Sequence, residues 1–598
     1  MERKLLMGNE AIAYGAIRAG VTFASGYPGT PSSEILETLA KVNPVDMYIE
    51  WSVNEKSALE TASGAAIAGA RTLVTMKQVG LNVASDPLMS LNYVGIKGGM
   101  VIVVADDPGP ISSQTEQDTR HFGKFAKIVV FDPSSPEEAY NMIGDAFEIS
   151  ERIGRPVLFR PTTRVCHSYE SVALSEPIPV NQPEGFCKDD GKWVIFPRLA
   201  YLNHLKIEDE LKNLSSVFSV YKRNILSGNG RKGIVSGGVS WCYVQEVLEG
   251  ITSEYKRLKI STVPFPEELG LDFLKGLDEV LVVEELDPVI EEALILLCGK
   301  HGLKVTIKGK ISGDMIHAGE NTIPAISTAI HSFLEENEPP EASSIPASIP
   351  ELPLRPPVLC AGCPHRASFF AVKEAVKGQK AVFSGDIGCY TLGNAMPLDM
   401  VDTCLCMGAG ITMAQGINRI EPETLNFAFI GDSTFFHTGI PGIINGVFNR
   451  SDIIIAILDN STTAMTGGQT HPGIGKTVRG EAVPKINIYD VVRGIGVSDI
   501  QQVNAFDFQA AKEAVSRAAD KKGVRVIIFQ GECIALSKKR KACVVDDKLC
   551  TGCGICIKKL GCPALQLKEK KAKIDPVLCT GCMLCQNVCS FQAINKTE

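Results

Sequence analysis

Two kinds of residue in this chain could do chemistry: an Asp and an Asn that each follow an apolar run, and a dense set of regularly spaced cysteines. Asn426 to Ile430 is followed by Gly431-Asp432-Ser433, and Ile453 to Leu458 by Asp459-Asn460. Roughly twenty residues separate the two runs, which is room for a crossover helix and its loops. As parallel neighbours, the two strands would bring Asp432 and Asn460 together at their carboxyl ends, where open α/β sheets bind ligands. A carboxylate, an amide oxygen and a backbone carbonyl, for which Thr462 is the candidate, suit Mg2+; that ion keeps the rest of its octahedron for water or phosphate oxygens. Gly-Asp at a strand end is by itself no more than a turn. The second strand, the spacing and the loop Thr466-Gly467-Gly468-Gln469 turn it into a ligand site.

The chain has 19 cysteines, and eight fall in its last 49 residues: Cys550, Cys553, Cys556 and Cys562, then Cys579, Cys582, Cys585 and Cys589. In a long chain with no export signal, such density argues for metal or iron–sulfur ligation rather than disulfides. CxxC pairs also build tetrahedral zinc sites. Three cysteines at i, i+3 and i+6 in both halves, each run with a follower, form an iron–sulfur pattern.

The elements that must carry these residues are those of a large α/β protein. At 598 residues the chain predicts three to five domains. A hydrophobic fraction of 45% and a net charge of -8 describe an ordinary globular protein and give no support for wholesale nucleic-acid binding. No apolar run reaches the length of a membrane span, and the first twenty residues lack the apolar core of a signal peptide. The expected compartment is the cytoplasm, with no membrane or nucleic-acid partner.

Residues 1–180 predict a first α/β domain. Within it, SGYPGTPSSEI leads into a helix that Thr30 or Ser32 could cap, with Pro31 near its first turn. Such a helix start suits an anion, for example a substrate carboxylate. Asn54-Glu55 opens a helix of small residues; a first-turn Glu is often no more than a favourable charge at a helix start, and Glu50 and Glu60 are nearby rivals. Residues 181–229 read as linker. Residues 230–334 predict a second, smaller α/β domain, with strands at Lys232, at Leu258–Val263, at Val280–Glu284 and at His301–Ile307. Seven prolines and five glutamates over 335–357 mark an extended linker. Residues 358–537 form the domain of Asp432 and Asn460, and 538–598 the cysteine-rich tail. Over 538–573, eleven Lys or Arg face three carboxylates, a patch that could steer an acidic redox partner.

In chain order, GYPGTPSSE, NEKSALE, CAGCPHR, GDIGCY, GDSTFFHTG, LDNSTTAMTGGQ and the cysteine tail resemble the 2-oxoacid:ferredoxin oxidoreductase family, and within it the large subunits that act on arylpyruvates such as indolepyruvate. The resemblance covers nearly the whole chain. It implies a multidomain thiamine-diphosphate-enzyme fold, with pyrimidine-binding, transketolase-C-like and diphosphate-binding domains and a C-terminal two-cluster ferredoxin-like α+β domain. Gly431-Asp432 and Asn460, 29 residues apart, match the diphosphate-and-magnesium motif, although Ser433 stands where Gly is usual. Gly467, Gly468, Gln469 and Asp386 are implied as further cofactor contacts, and Thr30 as a contact for the substrate carboxylate. Glu55 falls where the family keeps a buried acid against the aminopyrimidine ring, a task that suits a raised pKa. His365 and His437 are candidates for the diphosphate or the reacting centre.

For the tail, the resemblance is to a bacterial two-cluster ferredoxin, in which the fourth cysteine of each run ligates the other cluster. Cys550, Cys553, Cys556 and Cys589 would hold one [4Fe-4S] cluster, and Cys579, Cys582, Cys585 and Cys562 the other. Cys360, Cys363, Cys389 and Cys533 resemble the ligands of a third, with Cys404 and Cys406 complicating the count. The implied partners are a smaller beta subunit, ferredoxin, coenzyme A and a 2-oxo acid. The alternatives are another 2-oxo acid as substrate, a non-redox thiamine-dependent decarboxylase, and an electron-transfer subunit with an idle α/β body.

Overall fold

The computed structural model describes residues 2–45, 47–178, 183–189, 191–336, 352–353, 355–538 and 540–596. The chain divides into two compact units, Met1–Ile349 and Pro350–Glu598. Most of the Pro-rich stretch expected as a linker, residues 337–351 and 354, lies outside the described residues.

The first unit is built on two sheets. The larger has seven strands, in the order Thr262–Val263, Val130–Phe131, Val157–Phe159, Met100–Ala105, Thr72–Lys77, Phe23–Gly26 and Tyr48–Trp51. Six run parallel and only Thr262–Val263 is antiparallel. Its central strands are buried along their length except at Lys77, as helices on both faces of a parallel sheet require. The smaller sheet orders Thr306–Lys308, Glu279–Val283, Lys232–Gly237, Lys256–Ile260 and Ile225–Gly228. A buried ionic network joins the two layers: Arg160 reaches Asp106 at 2.6 Å and Asp132 at 3.2 Å, and Arg120 reaches Asp118 at 2.7 Å and Glu284 at 2.9 Å. Each carboxylate here offsets a guanidinium that would otherwise be costly to bury.

Three expectations change. The single strand expected over Leu258–Val263 is two strands in different sheets, because the chain turns at Ser261, whose carbonyl takes the Asp132 amide at 2.9 Å. His301 closes the helix Val289–His301 instead of opening a strand, and Gly302 supplies the left-handed residue that ends it. The segment expected as linker contains the helix Pro197–Ser219 and the edge strand Ile225–Gly228, which pairs antiparallel with Lys256–Ile260.

The second unit has one parallel five-stranded sheet in the order Ala381–Ser384, Leu425–Gly431, Ile453–Asp459, Val524–Gln530 and Asp499–Asn504. After it come two small antiparallel ribbons, Cys543–Val545 with Ile594–Lys596 and Leu565–Lys568 with Lys571–Ile574, and the short helix Ile555–Leu560. Phe369, Phe427, Phe429 and Ala456 share one buried cluster with Leu560, Leu565 and Ile594 of the tail.

Candidate active site

Gly431 pairs with Leu458 in the parallel ladder, so Asp432 and Asn460 stand side by side at the carboxyl ends of adjacent strands. The Asp432 carboxylate is buried and accepts the amides of Ser433 at 2.8 Å and Ser461 at 2.7 Å. Asn460 is buried too; its Oδ1 takes the Thr462 amide at 3.1 Å. Thr462 adds a buried hydroxyl with no hydrogen-bond partner among the described residues. A carboxylate, an amide oxygen and an unclaimed hydroxyl beside a backbone carbonyl are hard oxygen donors, and they fit Mg2+. After Asp432 the helix widens into a π-turn over Phe435–Gly439, a distortion frequent at functional sites. Gly431 has no room for a side chain, since a Cβ would stand 2.6 Å from the Tyr390 ring.

The loop opposite carries Gly467 at φ 124° and Gly468 at φ 96°, both in the left-handed region. Gln469 is tied back to Thr466, whose carbonyl takes its Nε2 at 2.6 Å, and Thr463 Oγ1 donates to Ser433 at 3.0 Å. His471, which the sequence reading passed over, lies with Nε2 3.2 Å from Asp432 Oδ2. Gly473 N–H donates to its Nδ1 at 3.2 Å, so the neutral ring carries its proton on Nε2, facing Asp432 but off the line of a hydrogen bond. A lone His in a Gly/Pro loop is the only sign of it in the sequence.

His365 is buried, and Asn460 Nδ2 donates to its Nε2 at 3.3 Å. The proton of neutral His365 therefore sits on Nδ1, which has no partner among the described residues. Burial pushes this imidazole down to about 4, against the pull of Asp432. His437 is also buried, with Nδ1 3.2 Å from Thr438 Oγ1. Burial pushes Asp386 up to about 7, although the Ile387 and Gly408 amides and the Tyr390 hydroxyl donate to it.

These two shifts have opposite consequences. Between about pH 4 and 7 native Asp386 keeps a proton that the unfolded chain has released, so its contribution to stability falls as pH rises through that window. Native His365 refuses a proton that the unfolded chain binds between about pH 4 and 6.5, so its contribution rises. Asp386→Asn is expected to gain stability over the wild type as pH rises from 4 to 7, by up to about 4 kcal/mol, and no further above that. Thermal denaturation of the cofactor-free proteins across this range checks it; a pH-independent difference would mean Asp386 is not held protonated.

In the first unit, Asn54 Oδ1 caps the helix Glu55–Ile67 through the Ser57 amide at 2.8 Å. Glu55, the first residue of that helix, is buried, while Glu60 is exposed and Glu50 accepts from Ser52 and Tyr48 near the surface. Gly80 lies against the Glu55 carboxyl so closely that a Cβ there would stand 2.6 Å from Oε1. Thr30 stands in the loop before the helix Ser33–Val42 and its carbonyl takes the Ser112 hydroxyl at 3.2 Å. Neither Thr30 nor Ser32 caps that helix. Ser32 already has helical dihedrals, so its hydroxyl turns back to the Gly29 carbonyl at 2.8 Å.

Among the described residues, no three His, Cys, Asp or Glu side chains converge tightly enough to hold a single metal ion. The tail cysteines instead line two cavities. One is lined by Cys550, Cys553, Cys556 and Cys589, the other by Cys562, Cys579, Cys582 and Cys585. Backbone amides already point at sulfur: Gly581 N–H donates to Cys579 and Ala593 N–H to Cys589, both at 3.4 Å. The thiolate donors and amide contacts suit iron–sulfur clusters. Cys363 and Cys543 also line the second cavity; the sequence offers no reason to single out Cys543. Of the other cysteines, burial pushes Cys389 up to about 11, with added repulsion from Cys533 and Cys360. Cys363 accepts the His365 and Arg366 amides, and burial pushes it up to about 12. Burial and the nearby Asp386 push the Cys404 and Cys406 thiols up.

Residues 386–529 match the thiamine pyrophosphate enzyme C-terminal TPP-binding domain, and residues 14–184 match the thiamine-diphosphate-binding domain of pyruvate flavodoxin/ferredoxin oxidoreductase. Fold and site together define a thiamine-diphosphate-dependent enzyme of the 2-oxoacid oxidoreductase class. The chain is 40% identical over 573 residues to the indolepyruvate oxidoreductase subunit IorA of Methanothermobacter thermautotrophicus, covering 94% of this chain and 92% of that one. It is 41% identical over 599 residues to the IorA subunit of Thermococcus kodakarensis, covering 94% and 91%. This chain belongs to the indolepyruvate oxidoreductase IorA subunit family. A more distant relative, the 2-oxoglutarate synthase subunit KorA of Archaeoglobus fulgidus, is 27% identical over 325 residues, half of this chain and 92% of its own length.

Proposed function

We propose that the chain is the large subunit of an enzyme that oxidatively decarboxylates arylpyruvates, indolepyruvate among them. With coenzyme A and oxidised ferredoxin it would yield arylacetyl-coenzyme A, carbon dioxide and reduced ferredoxin. The observation that carries this reading is the pairing, in one unit, of a strand-end Asp432–Asn460 site with eight tail cysteines sorted into two fours. A non-redox decarboxylase has no use for the second feature. A smaller beta subunit and ferredoxin are the expected partners. Among the described residues no helix is long and apolar enough to cross a membrane.

Bound thiamine diphosphate supplies the carbanion chemistry that side chains cannot. Asp432, Asn460 and the Thr462 carbonyl would hold Mg2+ and through it the diphosphate. Ser433, Gly467, Gly468 and Gln469 line the same end of the sheet, and Asp386 lies near it. Glu55 would hold a proton against the aminopyrimidine ring. Thr30 would take the substrate carboxylate. His365, with its free Nδ1–H, would donate to the diphosphate or to the reacting centre, and His437 is the second such candidate. Electrons would leave singly through clusters on the tail cysteines, with Cys360, Cys363, Cys389 and Cys533 as a third set. Anaerobic purification with the partner subunit, then cofactor analysis and a panel of 2-oxo acids with coenzyme A, tests the proposal. Reduction of ferredoxin by indolepyruvate is expected; a protein that releases aldehyde and carbon dioxide without reducing any cluster would refute it.

The crossed ligation has its own test. Cys562 follows the 550–556 run in sequence yet lines the cavity of Cys579, Cys582 and Cys585. Cys562→Ser is expected to alter the spectrum of the cluster on the 579–585 run and leave that of the 550–556 run unchanged. Damage confined to the 550–556 cluster would reverse the assignment.

A further inference from the structure

Arg366 is 3% exposed, on the helix Pro364–Ala375 just after the Cys360–Cys363 loop. Its guanidinium donates to three backbone carbonyls: Leu560 at 2.5 Å, Gly561 at 3.0 Å, and Leu359. Nε has no partner among the described residues. The arginine lines the cavity of Cys562, Cys579, Cys582 and Cys585, and among the described residues no Asp or Glu lines that cavity. The titratable groups that bear on Arg366 are all cysteines: Cys562, Cys363, Cys360 and Cys582. The packing is close, since a Cβ on Gly362 would fall 1.8 Å from Thr580 Oγ1. Arg366 therefore sits where the Cys360–Cys363 loop meets the Cys579–Cys582 loop.

A buried guanidinium without a carboxylate is expensive, and carbonyl dipoles satisfy its donors without neutralising its charge. The protein has placed a fixed positive charge in a cavity whose other polar side chains are thiols and the Thr580 hydroxyl. We propose that Arg366 is the built-in counter-charge of the cluster held by Cys562, Cys579, Cys582 and Cys585, and that it raises the reduction potential of that cluster relative to its neighbour on Cys550, Cys553, Cys556 and Cys589. This rests on the iron–sulfur reading of the tail. A [4Fe-4S] core with four thiolates is already net anionic and gains one more negative charge when it takes an electron, so a nearby fixed cation stabilises the reduced form more than the oxidised. The cavity of Cys550, Cys553, Cys556 and Cys589 has no such cation lining it among the described residues. Arg366 acts through the cluster's charge and is a positioning residue, not a catalytic one.

The test is an EPR-monitored redox titration of the anaerobic holoenzyme, with iron content measured on each sample. Arg366→Gln is expected to keep both clusters and lower the reduced-to-oxidised ratio of the 562/579/582/585 cluster about tenfold at fixed ambient potential, which is about 59 mV for a one-electron couple. The other cluster should not move. Arg366→Lys should restore most of the shift. Should Arg366→Gln lose only this cluster while Arg366→Lys retains it, a charge requirement is still shown. Equal shifts in both clusters, no shift in either, or loss of the cluster in both variants from an otherwise folded protein would overturn the proposal. Wild-type protein without iron in the tail would instead refute the reading on which it rests.

Discussion

Asp432→Ala is expected to abolish magnesium-dependent binding of thiamine diphosphate, weakening it by about two orders of magnitude or more, while the iron content of the tail is unchanged. Removing a partner that only orients a metal ligand already costs 10- to 100-fold, and Asp432 would be the one charged ligand of the set. The carboxylate also ties two loops, through the Ser433 and Ser461 amides, and charge-assisted bonds of this kind contribute about 1.5–3 kcal/mol each. Some loss of order in the 460s loop should therefore accompany the loss of binding. Asp432→Asn separates the two effects, since it keeps an acceptor for one amide but not the charge. Calorimetric titration with thiamine diphosphate and Mg2+ decides the matter, and wild-type affinity in the Ala variant would remove Asp432 from the metal site. Because His471 faces the same carboxylate, His471→Asn should weaken magnesium dependence far less than either Asp432 variant.

Glu55→Gln is expected to leave thiamine diphosphate bound but to slow exchange of its C2 proton by 10²- to 10⁴-fold, the usual range for a positioned acid or base. The side chain is buried at the first position of its helix, and Gln fills nearly the same volume, so stability should change little. Gly80→Ala is the independent check. Its Cβ would press on Oε1 and on Cγ, at 2.6 and 2.7 Å, so the carboxyl must move while keeping its chemistry. Glu55→Gln and Gly80→Ala should then both slow exchange, the second less. Exchange at the wild-type rate in Glu55→Gln would send the role to Glu50 or Glu60, although both of those lie nearer the surface.

Much of the cofactor end was legible because it is written in local patterns. An apolar run that stops at Gly431-Asp432, and another that stops at Asp459-Asn460, can only be strand ends if they are strands at all. Their pairing then follows from the length of the segment between them. Asn54-Glu55 before a run of small residues is likewise a local signal: the helix opens there as expected, and Asn54 proves to be its cap. Elsewhere local and tertiary preferences diverge. Ser32 carries the right side chain for a cap but sits in a turn that already has helical dihedrals. The run Leu258–Val263 has unbroken β character, yet it is split between two sheets because Val130–Phe131 needs an edge partner. Propensity decides that a residue is extended, and only packing decides which sheet it joins.

The sequence by itself determined the kinds of group present: hard oxygen donors at two strand ends, an acid at a helix start, and thiols in two runs of three with a follower each. Those are properties of residue type and of spacings under thirty residues, which backbone geometry converts directly into position. Tertiary structure alone decided which groups face each other across longer intervals. His471 meets Asp432 only because the loop after the Ile453–Asp459 strand folds back over the sheet end. Cys562 lines the cavity of Cys579, Cys582 and Cys585, as the resemblance to a two-cluster ferredoxin had implied, whereas the place of Cys543 in that cavity came from the structure alone. Arg366 lies among the thiols of the tail because its helix packs against residues almost two hundred positions later, at Leu560 and Gly561. The physical reason is that a buried charge takes its meaning from whatever else is buried beside it, and no local pattern in the chain records that.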